Sequence, residues 1–83
     1  MTKIRYITEK PSLKHMQEVV GGFIEVVYLN NDEVMIIDED GKGKNKPVNA
    51  RATIRATRDK AIFNNDWIAG NAIIMPKEYL DFE

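Results

Sequence analysis

The stretch from Gly21 to Asp40 limits what this chain can fold into. It reads FIEVVYL, then Asn30-Asn31-Asp32, then EVMIIDED. Val, Ile, Phe and Tyr favour the pleated strand, and Asn and Asp tolerate the backbone angles of a tight turn. The two runs therefore predict a β-hairpin. Strand periodicity sends Ile24, Val26 and Tyr28 to one face and Phe23, Glu25, Val27 and Leu29 to the other. In the second run Val34 and Ile36 oppose Met35 and Ile37. Both faces of the ribbon are apolar, so both must be covered. A face bearing Phe23, Val27, Leu29, Met35 and Ile37 would be an uncommon patch to leave in water. Its cover must come from the C-terminal third or from another copy of the chain. Homodimerisation through the sheet is the expectation.

Size sharpens that argument. A chain of 83 residues makes one small domain, 1–83, and such chains bury only about 60% of their unfolded surface. There is no cysteine, so neither disulfides nor thiolate metal sites add stability. A hydrophobic content of 43% with 30% charged residues fits an ordinary globular domain and argues against disorder. The formal charge of −1 gives no bulk attraction to nucleic acid or anionic lipid. Apolar runs fall far short of the ~20 residues of a membrane span, and no signal peptide is evident. A soluble cytoplasmic protein without a membrane partner is expected.

Before the hairpin, Lys3 to Thr8 (KIRYIT) reads as a first strand, broken by Glu9-Lys10-Pro11. Ser12 is a suitable N-cap for a helix whose stripe is Leu13, Met16, Val19 and Val20, and Gly21 stands where a helix-ending glycine belongs. A helix this short must pack on the sheet to persist. After the hairpin, Asp38 to Lys46 (DEDGKGKNK) is the most polar segment. It reads as a solvated loop, or as one whose glycine amides and lysines meet a phosphate or a carboxylate. Neither P-loop nor EF-hand spacing is present.

Val48 to Thr57 (VNARATIRAT) alternates like a strand, yet three of its five apolar residues are Ala, Pro47 precedes it, and Asn49 can cap it. A short helix is favoured. Arg58 to Trp67 reads as a connection turning at Asn64-Asn65-Asp66. Ile68 to Met75 is the last strand, with Gly70 marking a bulge or a close approach, and Pro76 ends it. Tyr79, Leu80 and Phe82 are expected to dock on the domain or on a partner. The fold class is α+β: a small, mainly antiparallel sheet of about four strands, with one or two short helices packed on one face.

Catalytic residue types are scarce. His15 is the only histidine and falls on the polar side of its helix, so a surface role is expected. Ser12, the only serine, is taken as a cap, which leaves no serine nucleophile. No enzyme, no metal site and no cofactor is expected. Glu25 is an acid in an apolar strand, read as paired with Arg5, Arg51 or Arg55, or as facing a ligand. Arg51, Arg55 and Arg58 make one helical stripe, either solvated or able to hold phosphates. Trp67 is the best stacking surface, and equally a core plug.

The order Gly21-Gly22-x-Ile24-Glu25-x-Val27, then Asp38-Glu39-x-Gly41-Lys42, then Pro47-x-Asn49-x-x-Ala52-Thr53, then Ile68-x-Gly70-Asn71 resembles a widespread family of small proteins. Its members are carried largely by phages, plasmids and other mobile elements, under the name domain of unknown function 3846. The resemblance runs from Leu13 to Met75, and this chain departs from the pattern in its loop at Gly43 to Lys46 and its short tail. It implies that Glu25, Asn49, Thr53, Gly70 and Asn71 lie together as a polar, ligand-binding set. Arg51 and Arg55 would then hold phosphates, and Trp67 or Tyr28 would stack a base. The implied function is a non-enzymatic, homo-oligomeric small-ligand binder, a phage counter-defence sponge that sequesters a nucleotide immune signal in the host cytoplasm. The alternatives are a protein-binding inhibitor of a host enzyme and, more weakly, a nucleic-acid-associated accessory protein.

Overall fold

The computed structural model describes residues 2–80, and the expected docking of Phe82 lies outside them. Strand β1 (Ile4–Tyr6) leads to helix α1 (Leu13–Val20). The hairpin β2 (Ile24–Tyr28) and β3 (Glu33–Asp38) follows, then helix α2 (Ala50–Arg58) and strand β4 (Ala72–Pro76). A short 3₁₀ turn, Lys77–Leu80, follows β4. The four strands form one sheet in the order β1-β4-β3-β2. β2 pairs with β3 and β3 with β4 antiparallel, whereas β1 pairs with β4 in parallel. The sheet is therefore mixed, and the α+β class holds.

Local chemistry explains the elements. Ser12 Oγ accepts from the His15 N–H at 3.0 Å and caps α1. Gly21 ends α1 at φ +81°, a conformation that costs glycine nothing. Asn31 and Asp32 carry the positive φ of the hairpin turn, as Asn and Asp can. Asn49 caps α2, so Val48 to Thr57 resolves toward helix. Its alternation of polar and apolar residues is incidental. At helical spacing Ala52 and Ala56 are buried while Ile54 is exposed.

The helices lie on opposite faces of the sheet, and this corrects the one-face expectation. Met16 and Val20 of α1 pack against Val34, Ile36, Ile73 and Met75. Ala52 and Ala56 of α2 join a cluster of Val27, Leu29, Met35, Ile37, Ile68, Ala72 and Ile74 on the other face. Alanines on α2 let its backbone approach a sheet face already crowded with branched side chains. Each large aliphatic side chain buried this way contributes about 1.5–3 kcal/mol.

The burial argument for a dimer through the sheet face thus loses its premise. Val27, Leu29, Met35 and Ile37 are covered by the chain's own α2 and Ile68. Only Phe23, 71% exposed, stays in solvent, because it precedes the first residue of β2 and strand alternation does not govern it. No helix among the described residues is long and apolar enough to cross a membrane.

Candidate ligand-binding site

The polar loop after β3 is ordered by one buried acid. Asp38, 3% exposed, ends β3. Its Oδ2 accepts from Lys44 Nζ at 2.9 Å and pairs with Lys46 Nζ at 2.7 Å, and its Oδ1 accepts from the Asp40 N–H at 2.9 Å. The same ammonium groups cap α1: Lys44 donates to the Gly21 carbonyl at 3.0 Å and Lys46 to the Val20 carbonyl at 2.6 Å. Cations there satisfy carbonyls that the helix leaves open. Burial alone would push the Asp38 carboxyl up, but hydrogen bonds from Lys46, Lys44 and the Asp40 amide outweigh it and lower its pKa to about 2. The carboxylate that the loop lysines meet is therefore the chain's own.

Beside this latch lies an open depression of about 680 Å³. Lys14, Gln17 and Glu18 of α1 line it together with Gly22, Phe23, Glu39 and Asp40. Asp38 and Lys44 lie at its base, already paired with each other. Lys14 forms no ion pair among the described residues. Alternation places Phe23 on the sheet face expected to be covered by the C-terminal third or by a second copy, and its exposure corrects that expectation. The signal that could have found this depression is Gly21-Gly22, which breaks α1 just before an aromatic residue.

A second, tighter cleft of about 130 Å³ lies under Trp67, with Glu25 and Lys42 also on its walls. Lys42 Nζ stands 4.3 Å from the centroid of the Trp67 ring and pairs with Asp66. Asp66 also accepts from the Trp67 N–H at 2.7 Å. The hydrogen bond from Lys42, with that amide, holds the Asp66 carboxyl below its usual range against the opposing effect of burial.

Of the set that the resemblance implied, the structure brings Asn49, Thr53, Gly70 and Asn71 together but leaves Glu25 apart, and the side chains of Asn49, Thr53 and Asn71 bond to backbone groups. Asn49, 2% exposed, accepts from the Ala52 N–H at 3.1 Å. Its amide donates to the Lys3 carbonyl at 3.1 Å and the Gly70 carbonyl at 2.9 Å. Thr53 Oγ1 accepts from the Ile68 N–H at 2.9 Å. Asn71 accepts from the Lys3 N–H at 3.0 Å and donates to the Val19 carbonyl at 3.3 Å. Gly70 adopts φ +87°, and a Cβ there would stand 2.9 Å from Lys46 Cδ. The set fastens the start of β1, the end of α1 and the start of α2 to the approach to β4.

The other expected residues lie elsewhere. Arg55 is engaged by Glu33 at 2.7 Å and Asp59 at 2.8 Å, first the Glu33 and then the Asp59 hydrogen bond raising its pKa. Arg51 is exposed on α2, and Arg58 approaches Asp59 at 3.9 Å. Tyr28 is 61% exposed at the end of β2. Glu25 is exposed on that strand and Trp67 is 43% exposed, so these two share a cleft apart from the asparagines. His15 is exposed, as expected.

No curated protein and no solved structure matches the chain. One family model matches residues 2–81, and by that match the chain belongs to the family described as Domain of unknown function (DUF3846).

Proposed function

We propose that this protein is a non-enzymatic small-ligand binder whose ligand occupies the depression at Phe23. The observation that carries this reading is a 71% exposed phenylalanine lining a depression of about 680 Å³ together with several ionic side chains. That volume lies within the range of about 300–1,000 Å³ usual for small-molecule sites. An exposed phenyl ring offers a stacking surface to a planar heterocycle. Glu18, Glu39 and Asp40 offer acceptors for the N–H groups of such a ring. Lys14 offers one cation for an anionic group.

The charge balance narrows the ligand class. Asp38 and Lys44 neutralise each other, which leaves Lys14 against three carboxylates. A multiply charged phosphate chain is disfavoured there. A nucleoside, or a cyclic nucleotide with one charge per phosphate, suits the site better. Binding without turnover is consistent with a chain that has no cysteine, one serine used as a helix cap, and one exposed histidine. Sequestration of a nucleotide immune signal, the role that the family resemblance implies, would need only occupancy of this kind.

A thermal-shift panel of nucleosides and cyclic nucleotides tests the reading. A ligand present at 100 times its dissociation constant should add about 2.7 kcal/mol. The shift should disappear in Phe23→Ala. A panel without any shift, or a shift that Phe23→Ala retains, overturns the assignment to this depression.

A further inference from the structure

We infer that the free edge of β2 pairs with β2 of a second copy, bringing Tyr28 of the partner subunit alongside the Phe23 depression. β2 is an outermost strand of the sheet. The Leu29 N–H donates to the Glu33 carbonyl at 3.0 Å, and the Glu39 N–H donates to the Phe23 carbonyl at 3.0 Å. In an antiparallel ladder such bonded pairs alternate, so the odd-numbered residues of β2 bond to β3. Ile24, Val26 and Tyr28 consequently direct both backbone groups toward the open edge.

The edge carries a single charge, Glu25, and is self-complementary. The opposite edge, β1, has three residues, with Arg5 at its centre and Lys3 just before it. Short length and cations are the devices that discourage strand addition. β2 has five residues, IEVVY, without lysine, arginine or proline. A two-fold axis through Val26 would set Val26 against Val26 of the partner subunit and Ile24 against the partner's Tyr28. Pairs of an aromatic with a β-branched residue are favourable across strands. Glu25 would face the partner's Val27, so no like charges stand directly opposite. In-register backbone bonding of this kind is an established mode of recognition.

This geometry adds a residue to the candidate site. Tyr28 is 61% exposed on its own subunit and shares the α1 face of the sheet with Ile24. Paired with Ile24 across the joint, the partner's Tyr28 lies one residue from Phe23, and the two-fold builds the same arrangement twice on one face. The pairing rests on backbone geometry alone, whereas the part given to Tyr28 rests on the ligand reading above.

Sedimentation equilibrium without ligand tests the pairing across the micromolar range. The wild type should be a dimer. Tyr28→Lys places a cation on the edge at an exposed position and should yield a folded monomer. Val26→Pro removes an outward N–H while leaving the β3 ladder intact, and should do the same wherever circular dichroism shows it folded. A monomeric wild type, or a dimer that survives both substitutions, overturns the inference. Tyr28→Ala keeps the backbone pairing, so it should remain dimeric while the thermal shift with a bound nucleoside falls. A full shift in that dimer removes Tyr28 from the site without touching the pairing.

Discussion

The Lys46 ammonium stands 2.7 Å from the Asp38 carboxylate and 2.6 Å from the Val20 carbonyl, so one cation joins the end of β3 to the end of α1. Lys44 repeats the device with Gly21. The loop carrying both lysines is thereby fixed against the sheet, and the base of the Phe23 depression with it.

Acid should release this latch. The Asp38 carboxyl is lowered from 3.8 to about 2 in the folded protein, so the unfolded chain takes up its proton first as pH falls. The resulting stability, roughly 2 kcal/mol, is present in full above pH 3.8 and is lost as pH falls toward about 2. Urea unfolding of wild type and Asp38→Asn between pH 2 and pH 5 checks this, since the variant should show a flatter dependence (about 2 kcal/mol less change) over that interval.

Asn49 should prove structural. Asn49→Ala leaves the Ala52 N–H and the carbonyls of Lys3 and Gly70 without their side-chain partner. A loss of about 2–4 kcal/mol is expected in denaturant unfolding. Asn49→Asp keeps the cap acceptor but turns a carboxylate toward two carbonyl oxygens, so it should be no more stable than the alanine variant at neutral pH.

The two arginines expected to hold phosphates should separate cleanly. Arg55→Ala strands Asp59, whose side chain is 8% exposed, and should cost about 2–3 kcal/mol. Arg55→Lys should recover only part, because an ammonium cannot reproduce the guanidinium fork that reaches Glu33 and Asp59 together. Arg51→Ala, on the exposed side of α2, should stay within about 0.5 kcal/mol of wild type in the same measurement.

Trp67 is the only tryptophan and reports its own cation–π contact. Lys42→Ala should shift its fluorescence emission to longer wavelength as water reaches the ring. The accompanying loss of stability should be about 0.5–1 kcal/mol.

These variants also mark where local chemistry was legible. Ser12, Gly21, Asn31-Asp32 and Asn49 each act within a few residues, so the helix ends and the hairpin could be read directly. What covers the second sheet face could not. Ala52 and Ala56 carry little apolar surface, and their value lies in closeness to a sheet formed elsewhere in the chain. The parallel pairing of β1 with β4 depends on no local signal. The asparagine cluster was visible as a group but not in its role, because its partners are backbone groups as distant as Lys3 and Val19. Phe23 was misassigned because a two-residue period was extended past the start of β2.

The seating of β1 has a consequence for synthesis. Its partner in the sheet is β4, with Ile4 opposite Ala72 and Tyr6 opposite Ile74. A nascent chain cannot place its first strand until nearly the whole domain has left the ribosome, so α1 and the hairpin wait with one flank of β3 uncovered. Such distant pairing slows folding. During that interval the unpaired edge of β3 is open to association with other strands, and a fragment released before Ala72 would carry it indefinitely.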